Sequence, residues 1–264
     1  MFDDTIRQLD EVVGRCGADR DRTGYFAAMY LAVTTTVRDR AAAGRFEDAA
    51  RMEKFVTSFA ARYLDALAAW RAGGSCPASW RLAFETAGEW RPIVLQHLLL
   101  GMNAHINLDL GVTASALGDG GAIDAVRADF DAINDVLGEL VDGCQGALGE
   151  VSPWLGLADR VGGHGDETLI RFSLVAARRQ AWSVATRLAA LSGAERERAI
   201  GSVDASTVRV GRAVVHPGLP ASAALLLVRL RERAAPSDVM RLLAAVRPAE
   251  TRNPDRGAVA RRQR

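Results

Sequence analysis

Two histidines and an aspartate stand in one of the most apolar stretches of the chain, LQHLLLGMNAHINLDLGV at residues 95–112. On a helical wheel of about 100° per residue, His97, His105 and Asp109 fall on one slowly drifting stripe, and His105 lies at the centre of an apolar face. We therefore expect these groups to be buried. Because an unpartnered buried charge costs on the order of several kcal/mol, they must satisfy one another, bind a ligand or hold a metal ion.

The i, i+4 spacing of His105 and Asp109 predicts either acid–base or metal chemistry. The two side chains are roughly 6 Å apart along the helix axis, and an adjacent carboxylate fixes the tautomer of a histidine that titrates near neutral pH. The same spacing lets two side chains of one helix share a metal ion. His97 is two turns from His105, about 12 Å away, so we expect it to line a longer cavity instead of joining the same ion.

A structural interpretation of the same residues stays open. His105 and Asp109 would then form a hydrogen-bonded core pair that fixes the register of a helical bundle, and Asn103 and Asn107 would do the same on the opposite side of the helix. Gly101, which lies between the two histidines on the stripe, leaves room for a ligand or for the close approach of another helix.

Other predicted helices offer partners for this pair. In FEDAARMEKFVTSFAARYLDALAAW, Glu53 could supply a third metal ligand, and the alternative is a solvated side chain. Asp48 is better explained as an acid that stabilises the helix N-terminus. With His105, Asp109 and Glu53 as ligands, the divalent metal would be zinc, iron or manganese. We expect the substrate-binding residues to be Tyr30, Glu53, Tyr63, Asn103 and Asn134.

Three further polar residues are expected to have no role in chemistry. His164 and His216 fall in loops marked by glycine and proline, where we expect exposed side chains. Arg178 could neutralise a substrate carboxylate, but a surface arginine beside a packed Trp182 is the commoner arrangement.

The elements that position these residues are all predicted to be helices. Apolar residues recur at i, i+3, i+4 and i+7 almost throughout, which predicts an all-α bundle around a buried central helix at about 92–117. We expect one domain over 1–246, with a subdomain break near 150–165 left open, and a flexible basic tail over 247–264. The predicted helices are 3–14, 24–43, 46–72, 79–89, 92–117, 122–148, 166–191, 194–214 and 219–246.

The composition of the chain and the absence of known motifs argue against several classes of function. The 33 basic and 32 acidic residues leave a net charge of +1, so we expect neither nucleic acid nor a membrane as a partner. No Walker loop, G-x-G-x-x-G or G-x-S-x-G occurs, so we expect no nucleotide cofactor. Three scattered cysteines, the absence of a signal-peptide pattern and the lack of a long apolar run predict a cytoplasmic protein.

Several segments together resemble a family of bacterial proteins of unknown function. They are GYFAAMYLAVT, RMEKFVTSFAARYL, LQHLLLGMNAHINLDLG, DFDAIN and FSLVAARRQAW, and the likeness covers about residues 20–190. Its most specific piece is NAHINLDL. The resemblance implies no activity. The positions that match the family pattern are Tyr25, Arg51, Glu53, Tyr63, His97, Asn103, His105, Asp109 and Asn134.

Two functions follow from the residues. The first is a small-molecule enzyme, acting by acid–base or metal-dependent chemistry, with His105, Asp109 and His97 in its active site; specialised metabolism is a suitable setting. The second is a non-catalytic helical protein that binds a ligand or partner, with a structural polar stripe. The two differ in one observable: a water-filled cavity that reaches both His97 and His105 favours the enzyme, and a dry, ligand-free core with saturated hydrogen bonds favours the second. The sequence leaves the oligomeric state open.

Overall fold

The computed structural model describes residues 1–117, 123, 127–152 and 174–247. Within these ranges the chain forms eleven α-helices and one π-helical segment, with no strand, so the predicted all-α fold is confirmed. The elements are α1 (Phe2–Asp19), α2 (Gly24–Ala42), α3 (Ala49–Arg71), α4 (Ala78–Ala87), α5 (Val94–Ala104), the π segment (His105–Leu110), α6 (Gly111–Leu117), α7 (Arg127–Val151), α8 (Leu174–Ala189), α9 (Gly193–Val215), α10 (Leu219–Arg229) and α11 (Pro236–Ala244).

Local chemistry explains the start of two helices, α3 and α11. The Asp48 side chain accepts the backbone N–H of Arg51 at 2.9 Å, so the capping role expected for Asp48 is confirmed. The prediction of one helix over 219–246 is wrong, because the chain breaks after α10 and begins again at Pro236. A proline in the first helical turn has no N–H to lose and has its φ preset for a helix.

The central element runs unbroken through α5, the π segment and α6. Nearly all of its side chains are buried, as the sequence predicts for a helix that is apolar on most sides. Helices α2, α3 and α7 pack along one side of it, α4 and α9 along another, and α8 covers the π segment and α6. The sequence predicts a regular α-helix over 92–117. A π segment instead interrupts it at His105, and such segments occur often at functional sites.

Two glycines let neighbouring helices approach the central element closely. A Cβ atom placed on Gly101 would lie 2.5 Å from the ring of Phe26 in α2, and one on Gly111 would lie 2.7 Å from Val184 in α8. The space that the sequence assigns to a ligand or a helix at Gly101 is therefore taken by α2.

The expected break near 150–165 lies mostly outside the described residues, and so does nearly all of the expected tail over 247–264. Among the described helices, none alone has the length and hydropathy to cross a membrane. Helices α9 and α10, bent by 67° at their junction, meet those two criteria only when taken together.

We predict that Gly101→Ala lowers the free energy of unfolding by about 1–3 kcal/mol, because the added methyl group overlaps the Phe26 ring in a close-packed core. Gly14→Ala in α1 is the matched control. Gly14 has no atom within 4 Å of its added Cβ, so helix propensity alone should stabilise that variant, by at most about 1 kcal/mol. Urea denaturation of both variants measures the difference, and equal effects would contradict the close packing.

Candidate active site: a histidine–aspartate pair beside an apolar cavity

Asp109 is a buried carboxylate that accepts hydrogen bonds from three elements. Its Oδ2 accepts Trp80 Nε1–H of α4 at 2.8 Å and lies 3.1 Å from His105 Nδ1, while its Oδ1 accepts Arg62 Nε–H of α3 at 3.1 Å. The residue is 1% exposed. The predicted i, i+4 pairing of His105 with Asp109 is therefore observed, and two residues distant in sequence complete it.

His105 is a neutral imidazole with one nitrogen fixed and the other without a partner. A carboxylate oxygen can only accept a hydrogen bond, so Nδ1 carries the proton and Nε2 carries the lone pair. Nε2 is buried and has no hydrogen-bond partner among the described residues. Burial lowers the pKa of His105, and the neighbouring Asp109 opposes that shift without reversing it. A histidine whose tautomer is set in this way has a basic nitrogen that can accept a proton.

Aromatic rings hold the imidazole in place. Phe59 of α3 stacks on it with ring centroids 3.5 Å apart, and Tyr30 of α2 meets it edge-on at 4.6 Å. Phe26 and Trp80 complete the enclosure at 5.5 and 6.0 Å. These contacts and the Asp109 bond leave the ring little freedom to turn.

A cavity of about 400 Å³ lies beside His105, between α2, α3, the central element and α7. Its walls are mostly apolar, which suits a small molecule held largely by apolar contacts. The polar side chains in its wall include those of His105, Tyr30, Thr34 and Arg178. The apolar lining residues are Phe26, Met29, Val33, Val37, Phe55, Val56, Phe59, Leu95, Leu98, Leu99, Met102, Ile106, Leu110, Ile133, Leu137, Leu140, Cys144 and Leu148.

Tyr30 lines the same cavity. Its Oη is buried and has no hydrogen-bond partner in the described part of the chain. The Thr34 hydroxyl donates to the Tyr30 carbonyl oxygen and can still accept a hydrogen bond. Burial, with Asp109 as a smaller cause, raises the pKa of Tyr30 well above its ordinary value. Tyr30 is therefore protonated at neutral pH and available as a hydrogen-bond donor.

Arg178 of α8 forms a cationic part of the cavity wall, so the surface position expected for it is wrong. The residue is 3% exposed, its guanidinium lies 4.4 Å from the ring centroid of Phe130, and Nη2 donates to the Phe130 carbonyl oxygen at 2.5 Å. Burial lowers the pKa of Arg178 to about 10, which still leaves it charged at neutral pH.

His97 is buried but does not line this cavity, contrary to the expectation that it would. It lies on the far side of the Phe26–Gly101 contact, edge-on to Tyr25 at 5.7 Å, and neither ring nitrogen has a partner among the described residues. Burial, with smaller contributions from the charges of Arg22 and Arg229, lowers the pKa of His97 to about 3. The structure therefore separates the two histidines that the sequence places on one stripe.

The remaining expected site residues lie in different surroundings. Glu53 accepts the backbone N–H of Phe2 at 2.9 Å, near the chain's first residues. Asn103 donates to the carbonyl of Thr207 in α9 at 2.8 Å and accepts from Asn107, which fits the structural role considered for those amides. Tyr63 is fully buried against Phe26 and Trp80. The backbone of Asn134 lies in α7, and its side chain is not among those described.

The expected metal ligands are only partly brought together. His105 and Asp109 are neighbours, whereas Glu53 takes part in a different set of contacts. Within the described ranges no three His, Cys, Asp or Glu side chains form a group that could hold a metal ion. A metal at His105 Nε2 would need ligands other than the ones predicted.

We predict that Asp109→Ala lowers the free energy of unfolding by about 3–5 kcal/mol, because Trp80, His105 and the Arg62 cation all lose their acceptor. Asp4→Ala, which breaks exposed ion pairs with Arg7 and the N-terminal amine, is the matched control and should have a much smaller effect, because solvent screens both pairs. Denaturant unfolding compares the two, and a small effect of Asp109→Ala would show that the network does not hold the site together.

We predict that the protein loses stability as the pH falls below 6.5. His97 has a pKa of about 3 in the folded state against 6.5 in the unfolded chain, so acid protonates the unfolded state first. Between pH 6.5 and about pH 3, one such group lowers the free energy of unfolding by about 1.4 kcal/mol for each pH unit of acidification. His97→Gln should reduce the slope, while the exposed His216→Gln should not. Unfolding free energies measured at several pH values give the slopes, and identical slopes in all three proteins would contradict a buried neutral His97.

Comparison with known proteins identifies the family of this chain. No curated protein and no solved structure matches it. One family model matches residues 2–217, a span that includes α1 to α9 and every residue of the site described above. The chain belongs to DUF5995, a family of unknown function.

Proposed function

We propose that the protein is an enzyme that binds an apolar small molecule in the cavity and uses His105 as a general base. The observation that carries this proposal is the unpartnered Nε2 of His105, which is buried at the wall of a cavity of about 400 Å³ while Asp109 fixes the opposite nitrogen. The ring nitrogens of His97 are also buried without partners, and what sets His105 apart is the cavity beside it together with the carboxylate that fixes its tautomer.

The same residues define the step that the enzyme would catalyse. Nε2 accepts a proton from a C–H or O–H group of the substrate, and the imidazolium that forms is stabilised by Asp109 at Nδ1. Tyr30 donates a hydrogen bond to the oxygen on which negative charge collects. Apolar walls lower the local dielectric constant, so these interactions would be stronger than in solvent.

The cavity supports a proposal for the kind of substrate. Aromatic and aliphatic side chains dominate its wall, which favours a largely apolar molecule. Its polar groups include His105 from the central element, Tyr30 and Thr34 from α2, and Arg178 from α8, so a substrate with matching polar groups would be held in one orientation. Such a molecule fits the setting of specialised metabolism.

A non-catalytic ligand-binding protein is the second candidate. The size and apolar lining of the cavity favour it as much as they favour an enzyme, because neither property requires a reaction. The two candidates differ only in whether His105 removes a proton from the molecule that is bound.

We predict that the protein accelerates the opening of 5-nitrobenzisoxazole, a small apolar probe that reacts when a base removes its C–H proton and the N–O bond breaks to give a phenolate. His105→Ala should slow the protein-catalysed rate by about 100-fold or more. Because burial lowers the pKa of His105, the rate should rise with pH to a plateau with its midpoint below 6.5. The coloured phenolate is followed by absorbance.

Two matched variants separate catalysis from binding. His216→Ala removes an exposed histidine and should leave the rate unchanged, whereas Val33→Phe should fill part of the cavity and reduce probe binding without touching the pair. A probe that binds, measured by its competition with a fluorescent naphthylamine, but reacts no faster than in buffer would contradict the general-base role and favour the ligand-binding protein.

A further inference from the structure

Helix α10 exposes an apolar face that the core does not use. Its exposed large side chains are all leucines, and we call them the leucine face: Leu219 at 89% exposure, Leu226 at 38%, Leu227 at 52% and Leu230, just beyond the last turn, at 55%. Their spacing places them along one side of the helix. Leucines exposed in this number on a short helix are typical of an interaction surface.

The opposite side of α10 attaches it to the rest of the protein. Leu225 and Val228 pack against Ile93, next to the start of the central element. At the C-terminal end of the helix, Arg229 donates to the carbonyl oxygen of Trp90 and its guanidinium lies 5.4 Å from the Trp90 ring. Trp90 is itself 52% exposed, so a half-exposed indole stands beside the leucine face.

The sequence around the leucine face has an excess of arginine. Residues 204–238 contain five arginines, two aspartates and one glutamate, which gives this segment a charge of +2 in a chain whose total is +1. The glutamate, Glu232, is nearly buried and pairs with Arg229 at 3.6 Å. Arg209, Arg212 and Arg233 are exposed. The net charge of the whole chain therefore does not show the positive charge of this segment.

We propose that the leucine face docks onto the surface of a lipid bilayer that contains anionic lipids. Exposed leucines, a half-exposed tryptophan and flanking arginines are the combination that an interfacial helix uses, with apolar side chains below the headgroups and cations among them. The 11 residues of α10 are too few to span a bilayer, and α9, with which it meets the criteria for a span, packs against α4 and the central element, so we place α10 in the plane of the interface.

The arginines near the leucine face favour an anionic bilayer over a second copy of the chain as the partner. Two copies that met through their leucine faces would bring two sets of arginines together, and like charges at an interface oppose association. An anionic bilayer attracts the same arginines. The expectation that a membrane is not a partner rests on the net charge of +1, which does not report this local excess. The inference is independent of the proposed function, since it uses none of the cavity residues.

Co-sedimentation of the full chain with lipid vesicles tests the inference. We predict binding to vesicles of phosphatidylcholine mixed with phosphatidylglycerol, at least tenfold weaker binding to phosphatidylcholine alone, and weakening by salt. Leu226→Ser/Leu227→Ser should reduce the binding at least tenfold, while Leu226→Met/Leu227→Met keeps the apolar face and should bind as the wild type does.

A second pair of variants tests the arginines. Arg212→Gln/Arg233→Gln should weaken binding to the anionic vesicles at least fivefold. Arg7→Gln/Arg15→Gln makes the same change in charge on exposed positions of α1 and should have little effect. All of these exposed substitutions leave the folded core intact, which circular dichroism verifies.

Three results would overturn the inference. They are an absence of binding to anionic vesicles, equal binding by the Ser and Met double variants, or equal weakening by the two arginine pairs. A concentration-dependent dimer in sedimentation equilibrium, lost in the Ser double variant and found together with no vesicle binding, would assign the leucine face to a second copy of the chain instead.

Discussion

Burial of the Asp109 carboxylate is the constraint on which the rest of the site depends. A carboxylate that is 1% exposed must have its oxygens satisfied, and here the donors come from α3, α4 and the π segment. Three elements that are separate in sequence are therefore held at fixed distances from one point. The orientation of His105, the position of the Phe59 ring that stacks on it and the wall of the cavity all follow from that arrangement.

The parts of this site that could be predicted from the sequence are the local ones. His105 and Asp109 are four residues apart, so helical geometry alone brings them together. Trp80 and Arg62 are 29 and 47 residues away from Asp109, and no periodicity connects them. A buried aspartate does require donors, and that requirement could have directed attention to a tryptophan N–H and an arginine without saying which ones.

The incorrect expectations for Glu53 and His97 also concern contacts between elements that are distant in sequence. Glu53 has the right chemistry for a metal ligand, but a residue's type does not fix which end of a long helix meets the site. His97 shares a stripe with His105 on a wheel, yet Gly101 allows Phe26 of α2 to pack between them. The break before Pro236 could have been predicted from the sequence, because proline begins helices far more readily than it continues them.

The π segment couples the chemistry of this protein to the docking of its helices. Deletion of one residue between 105 and 110 would restore a regular helix and rotate everything after it by about 100°. Asp109 would turn away from Trp80, and Gly111 would turn away from Val184, against which α8 packs closely on the central element. The extra residue in the π turn determines which side of α6 faces α8. The packing of α8 therefore constrains the length of the π segment, and the site constrains its residues.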